Sequence, residues 1–193
     1  KPDRSAPRQN LTVKAAFDRV IANRGEILTG VSANISVRNS LIASADIEGK
    51  FLSERALAIR VRPNATGRQL QITSSDGGSA LRASNLYSKV AGGSLEFSAF
   101  LANGGTSTIQ NGRLVMRDFD VRNEAALADI DSRSKSKKSG PRREGLSFTK
   151  LTLPFTTDAK FIRIGDSLLK GNELGAAAEG LIRKADGAID FNG

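Results

Sequence analysis

From Ile27 to Val37 the chain alternates. Ile27, Thr29, Val31, Ala33, Ile35 and Val37 fall on one side of an extended strand, and Leu28, Gly30, Ser32, Asn34, Ser36 and Arg38 on the other. Period two over so long a run marks a half-buried β-strand. The pattern recurs. Leu11, Val13, Ala15 and Phe17 alternate with Thr12, Lys14 and Asp18. Leu41, Ala43, Ala45, Ile47 and Phe51 form a third apolar face against Ser44, Asp46, Glu48 and Lys50. Leu57, Ile59 and Val61 alternate with Ala58, Arg60 and Arg62, Leu70 and Ile72 mark a short strand, and Leu95, Phe97, Ala99 and Leu101 begin another run. Later strands read at Leu114–Val121, Phe148–Leu153, Lys160–Ile164, Leu174–Gly180 and Ala188–Phe191. Asn23-Arg24-Gly25, Asn39-Ser40, Pro63-Asn64 and Asn103-Gly104-Gly105 supply turn chemistry between them.

One segment departs from this period. Asp76 suits an N-cap, because its carboxylate can accept from the free amides of a first turn. Ala80, Leu81, Ser84, Tyr87 and Val90 recur at helical spacing, and Gly92-Gly93 ends the run. The spacing predicts a helix over roughly Gly77 to Lys89, with a break near Asn85. A second, short helix is expected from Glu124 to Ile130.

Around ten strands with one central helix predict a mainly β fold: a long antiparallel curved sheet, as a β-groove, an open barrel or a sandwich. One helix cannot cover ten strands. Small residues at apolar positions (Ala15, Ala33, Ala43, Ala45, Ala99, Ala176, Ala178) either let the sheet bend or leave room for something else. Two readings of the apolar face therefore stand open: a core filled by the protein's own side chains, or a trough that holds foreign hydrocarbon. For the trough, the inward set is Ile27, Val31, Ile35, Leu41, Ile47, Leu57, Ile59, Leu95, Phe97 and Leu101.

The chain has no Cys and no His. Disulfides, the common zinc sites and any catalysis through imidazole or thiolate are thereby excluded. What remains is thin. Asp118 with Asp120, or Asp129 with Asp131, could meet a cation, but carboxylates two apart on a strand are ordinarily just solvated. Ser134 beside Lys135 falls in a loop, the wrong setting for a preorganised nucleophile. The sequence therefore reads as non-catalytic, with no cofactor and no metal.

A net charge of +9 favours anionic partners. Its densest part is residues 132–143, SRSKSKKSGPRR, in which six of twelve residues are basic and none is apolar, a flexible loop by composition. Arg133, Lys135, Lys137, Lys138, Arg142 and Arg143 are the candidates there for headgroup or membrane contact, each worth about 1 kcal/mol near an anionic surface. Nucleic-acid binding wants basic patches interleaved with aromatics. Tyr87 is the only Tyr, there is no Trp, and most Phe residues sit at apolar-face positions, so nucleic acid is the weaker partner class. Residues 1–10 are polar, hold Pro2 and Pro7, and read as a flexible end; 11–193 reads as one region. The first residue is not Met, which suits a mature chain or a piece of a longer one. No apolar run approaches the roughly 20 residues of a membrane-spanning helix.

The helix and the strands after it resemble a known family. Asp76, Gly78, Leu81-Arg82, Leu86-Tyr87 and Gly92-Gly93-Ser94-Leu95 stand in order, followed by Glu144-Gly145-Leu146-Ser147-Phe148, Pro154-Phe155, Gly171 and closing strands through Gly180, Ile189 and Gly193. This ordered set resembles the AsmA-like C-terminal region over about Leu57 to Gly193, and Leu11 to Phe51 fits the strand-rich part upstream. The resemblance implies a Gram-negative envelope protein of the AsmA, TamB and YhdP group, among the bridge-like lipid transfer proteins. It would be anchored in the inner membrane by a helix that this chain lacks, extend into the periplasm, and carry phospholipid towards the outer membrane along a β-groove. Phospholipid and other envelope proteins would be its partners, beside the anionic membrane surface that the basic run suggests. The basic run at 132–143 departs from the family, where that segment is less charged and more apolar, and puts its role there in question.

A trough has a plain physical use. Hydrating an acyl chain of about 16 carbons costs on the order of 12 kcal/mol, at about 0.8 kcal/mol per CH₂. A continuous apolar floor removes that cost and needs no nucleophile, metal or general base. The rival expectation is a passive scaffold segment with a filled core.

Overall fold

Asn39 and Ser40 both take positive φ (52° and 62°) between the paired residues Arg38 and Leu41. That is a two-residue hairpin turn whose twist matches the flanking strands. Where the connection between consecutive strands is described, it is a reversal of two to five residues, except for one that holds a helix. The computed structural model describes residues 10–102, 109–122, 145–171 and 175–192. They form eleven strands: β1 (Leu11–Ile21), β2 (Ile27–Arg38), β3 (Leu41–Phe51), β4 (Ala56–Pro63), β5 (Gly67–Ser74), β6 (Val90–Ala102), β7 (Ile109–Arg122), β8 (Gly145–Thr157), β9 (Phe161–Gly171), β10 (Gly175–Arg183) and β11 (Ile189–Asn192). All belong to one antiparallel sheet whose spatial order is the sequence order. The sheet does not close: β1 and β11 are its two edges.

One helix, α1 (Gly77–Ala83), interrupts the meander between β5 and β6. It is shorter than expected. Ser84 closes it, Asn85 turns left-handed at φ 57°, and Leu86 and Tyr87 lie in the loop beyond. Asp76 is the N-cap, as its position suggests, accepting from Ser79 N at 2.9 Å. The expected helix at Glu124–Ile130, most of the flexible end and the whole basic run lie outside the described residues.

The alternation holds through most strands but breaks where bulges intervene. In β2, Thr29 pairs with Lys50 and Ser32 with Glu48, so Gly30 and Val31 together face Gly49. Gly30 adopts φ +56°, a conformation that costs glycine nothing. The phase flips there: Leu28 pairs with Phe51, whereas Ile27 pairs with Ile21. In β3, Ala43 is the extra residue, since Ser36 pairs with Ser44 but Val37 pairs with Ile42. Pro154 sits in the interior strand β8, which proline normally avoids. It is tolerated because the β8–β9 ladder shifts between Thr152 and Phe155.

Buried residues concentrate under α1. Leu81 packs with Val90, Leu95, Met116, Phe119 and Phe148, and the Phe119 and Phe148 rings stack at 5.6 Å. Leu95 and Met116 pair across β6 and β7, so α1 covers the apolar face. Its far end reaches the β1–β2 connection. Asn23 Nδ2 donates to Ala83 O at 2.9 Å, Arg24 Nε to Asn85 Oδ1 at 2.9 Å, and Arg82 Nε to Glu26 Oε1 at 2.5 Å. On a flat sheet β2 and β6 would stand about 19 Å apart, at about 4.8 Å per strand. A helix of this length spans about 10 Å. The sheet must therefore curl towards α1, and the apolar face is the inside of the curl.

Candidate functional site

The candidate site is this inner face. Its side chains line up across the ladder. Ala15 pairs with Ala33, Ala33 with Ile47, Ile47 with Ile59, Ile59 with Ile72, Ile72 with Phe97, Phe97 with Leu114 and Leu114 with Leu153. That is one unbroken apolar row from β1 to β8. A neighbouring row runs Val13, Ile35, Ala45, Val61, Leu70, Ala99, Gly112, Phe155, Ile164 and Gly180, from β1 to β10. Paired side chains of an antiparallel sheet share a face, so both rows lie on one surface.

Every residue of the first row is intermediate in exposure, neither sealed nor open. No second layer of described strands packs over it, because all eleven belong to one sheet. The curl shields the row, and Ile72, Phe97 and Leu114 also pack against the buried cluster under α1. Phe97 and Phe155 stack across the floor at 5.8 Å. At one end α1 stoppers the trough. At the other, the buried Arg68 sits on the inner face and spans from β5 over β4, its Nη1 donating to Ile42 O at 2.8 Å and its Nη2 to Ala102 O at 3.2 Å. That side chain ties β3 and β6 together across the floor.

The outer face is polar. Arg62 forks onto Asp46 at 2.8 and 2.5 Å, and Arg60 reaches Glu48 at 2.5 Å. The hydrogen bond from Arg62, followed by its charge, holds the Asp46 carboxyl below the usual carboxylate range. Exposed pairs of this kind add little to stability, because water screens them. The two faces thus keep the division that alternation sets out.

Of the inward candidates, Val31, Ile35, Ile47, Leu57, Ile59, Leu95, Phe97 and Leu101 share the inner face, with Val31, Leu95 and Leu101 buried. Ile27 and Leu41 do not join them. The Gly30 bulge puts Leu28 and Phe51 on the inner face in place of Ile27, and the Ala43 bulge pairs Leu41 with Arg38 and gives its place to Ile42. Leu70, Ile72, Leu114, Leu153 and Phe155 belong to the floor as well, beyond the inward set expected from sequence. Their alternation is readable in the chain, but their register against the neighbouring strands is not.

Arg133, Lys135, Lys137, Lys138, Arg142 and Arg143 lie outside the described residues, as do Asp129, Asp131 and Ser134. The strands that flank them end at Arg122 and Gly145, which pair with each other at the α1 end, where Arg122 N donates to Lys89 O at 2.8 Å. Asp118 takes φ 54° within β7 and is skipped by the ladders on both sides, which pair Arg117 and Phe119. Asp120 accepts from Ser147 Oγ at 2.7 Å. Among the described residues no three or more Asp or Glu side chains gather to hold a metal ion. No described helix is long and apolar enough to cross a membrane.

Compared with family models, curated proteins and solved structures, the chain matches none.

Proposed function

We propose that this chain is a non-catalytic segment whose apolar β-trough holds the acyl chains of phospholipid and carries them between the inner and outer membranes of a bacterial envelope. The observation that carries the lipid part is the unbroken row from Ala15 to Leu153, partly exposed along its whole length. A filled core would bury Ile47, Ile59, Ile72 and Phe97 against a second layer. Leaving such side chains partly wet forfeits some of the roughly 1.5–3 kcal/mol each would gain on full burial. Hydrocarbon laid along the row restores that gain. The envelope setting, an inner-membrane anchor outside this chain and the direction towards the outer membrane rest on the resemblance to the AsmA-like region alone.

The test is a photoreactive residue at Ile72, on the floor, and at Gln71, on the outer face, in protein purified without detergent. Mass spectrometry is expected to find phospholipid crosslinked from position 72 and not from 71. Equal yields, or no lipid in the native protein, would leave the scaffold reading in possession.

A further inference from the structure

The α1 end of the sheet carries an odd set of side chains. Turns are normally polar, yet here Leu52, in the β3–β4 turn, is 66% exposed, and Leu86 and Tyr87, in the loop after α1, are 76% and 39% exposed. Ile21, the last residue of β1, is 72% exposed. Three separate connections thus push large apolar groups outward at one end of the molecule. They are held close to one another: Arg24 and Asn23 of the β1–β2 turn bond Asn85 and Ala83, and Phe51, beside Leu52, pairs with Leu28 at the start of β2.

The charge around these tips leans basic. The acids on the turns that carry them are engaged, Glu26 with Arg82, Glu54 with Lys50, and Asp76 with the first turn of α1, leaving Asp18, Asp118 and Asp120 as the other carboxylates towards this end. Arg24 and Arg55 are exposed, and among the described residues neither has a carboxylate partner. Aliphatic tips, one tyrosine and arginines without a carboxylate partner at one end match the layers of a membrane interface. Aliphatic groups enter the acyl boundary, tyrosine sits at the headgroups and arginine meets the phosphates.

We propose that the α1 end docks on a bilayer surface containing anionic phospholipid, with Leu52, Leu86, Tyr87 and Ile21 inserted and Arg24 and Arg55 at the headgroups. This goes beyond the trough reading and does not depend on it, since an empty trough would dock equally well.

Tyr87 makes the test unusually clean, because it is the only tyrosine and the chain has no tryptophan. Tyrosine emission of the intact chain is followed during acrylamide quenching, with vesicles of pure phosphatidylcholine or of phosphatidylcholine with phosphatidylglycerol. Protection from quenching is expected with the anionic vesicles only. Vesicle flotation is expected to weaken at least ten-fold for the Leu86→Ser/Leu52→Ser variant. It is expected to weaken about five-fold per charge for Arg24→Gln and Arg55→Gln. These side chains are exposed, so unchanged circular dichroism is the folding control; Arg55→Gln alone serves if the loss of the Arg24–Asn85 bond disturbs the turn. Unaltered quenching with anionic vesicles, or equal flotation of all variants, overturns the proposal. Ile59→Asn separates the two readings: it is expected to dock normally whether or not the trough holds lipid.

Discussion

The ring of Phe155 lies over Gly112. A Cβ on Gly112 would stand 2.6 Å from Phe155 Cζ and 2.5 Å from Ser98 O. The glycine is there because a paired aromatic needs the room. The ring that fills it stacks on Phe97 and forms part of the trough floor.

Gly112→Ala is therefore expected to push Phe155 off its stack and to destabilise the protein by about 1–3 kcal/mol. Thermal unfolding should show it, at roughly 2–4 °C per kcal/mol for a chain of this size. Adding Phe155→Leu should recover part of the loss, since the smaller side chain no longer needs the gap. Strict additivity of the two substitutions would mean that glycine and ring are not coupled.

Arg82 is the bolt between α1 and the β1–β2 turn. Its Nε meets Glu26, its Nη1 Val90 O at 2.9 Å and its Nη2 Ser79 Oγ at 2.9 Å, in a partly buried setting. Arg82→Ala should cost about 1–3 kcal/mol, chiefly through acceptors left without donors. Arg82→Lys should rescue little, because an ammonium cannot reproduce the fork. Hydrogen exchange of the amides in 77–83 and 22–26 should accelerate together. Acceleration at one site alone would refute the link.

A pH effect is expected from β9 and β10. The hydrogen bond and charge of Asp166 raise the Glu179 carboxyl above its ordinary 4.5. The folded state then binds a proton more readily than the unfolded one. The pair thus favours the fold at low pH, and that contribution is lost as pH rises through the raised value. Asp46 and Asp158 run the other way: both are lowered from 3.8, so their contribution is present above that value and lost as pH falls below it. Asp166→Asn should bring Glu179 back towards 4.5 in an NMR titration. No movement of Glu179 would show that Asp166 is not the cause.

The two faces of one strand make a further test. Ile59 is on the floor, and its neighbour Arg60 points outward to Glu48. Ile59→Asn is expected to abolish co-purifying phospholipid, while Arg60→Asn leaves it in place, measured by lipid extraction and mass spectrometry. Lipid retained on the Ile59 variant would count against the trough as its seat.

Strand identity is legible in the sequence because alternation is local, and β3 runs over Leu41–Phe51 as its pattern indicates. The bulges are not legible. Gly30 reads like one more outer-face residue and Ala43 like one more inner-face residue, yet each shifts the phase by one, which is why simple alternation puts Ile27 and Leu41 on the wrong side. Whether a residue is extra depends on the partner strand, and no single-strand pattern contains that. The start of the helix is marked by Asp76 as a cap; its end is not marked so plainly. Tyr87 has the spacing of a buried helical face but sits in a loop beyond Asn85. The layer count is also beyond reach of the pattern, since a sandwich and a curled single sheet share the same alternation.

The identity of spatial and sequence order has a kinetic consequence. Each strand's partners are its immediate chain neighbours, so the sheet can zip up hairpin by hairpin as the polypeptide emerges, and it is side-chain ties such as Arg82 to Glu26 that join distant segments. Growth by successive addition also means that a lesion in β10 should leave the assembly of β1 to β5 untouched.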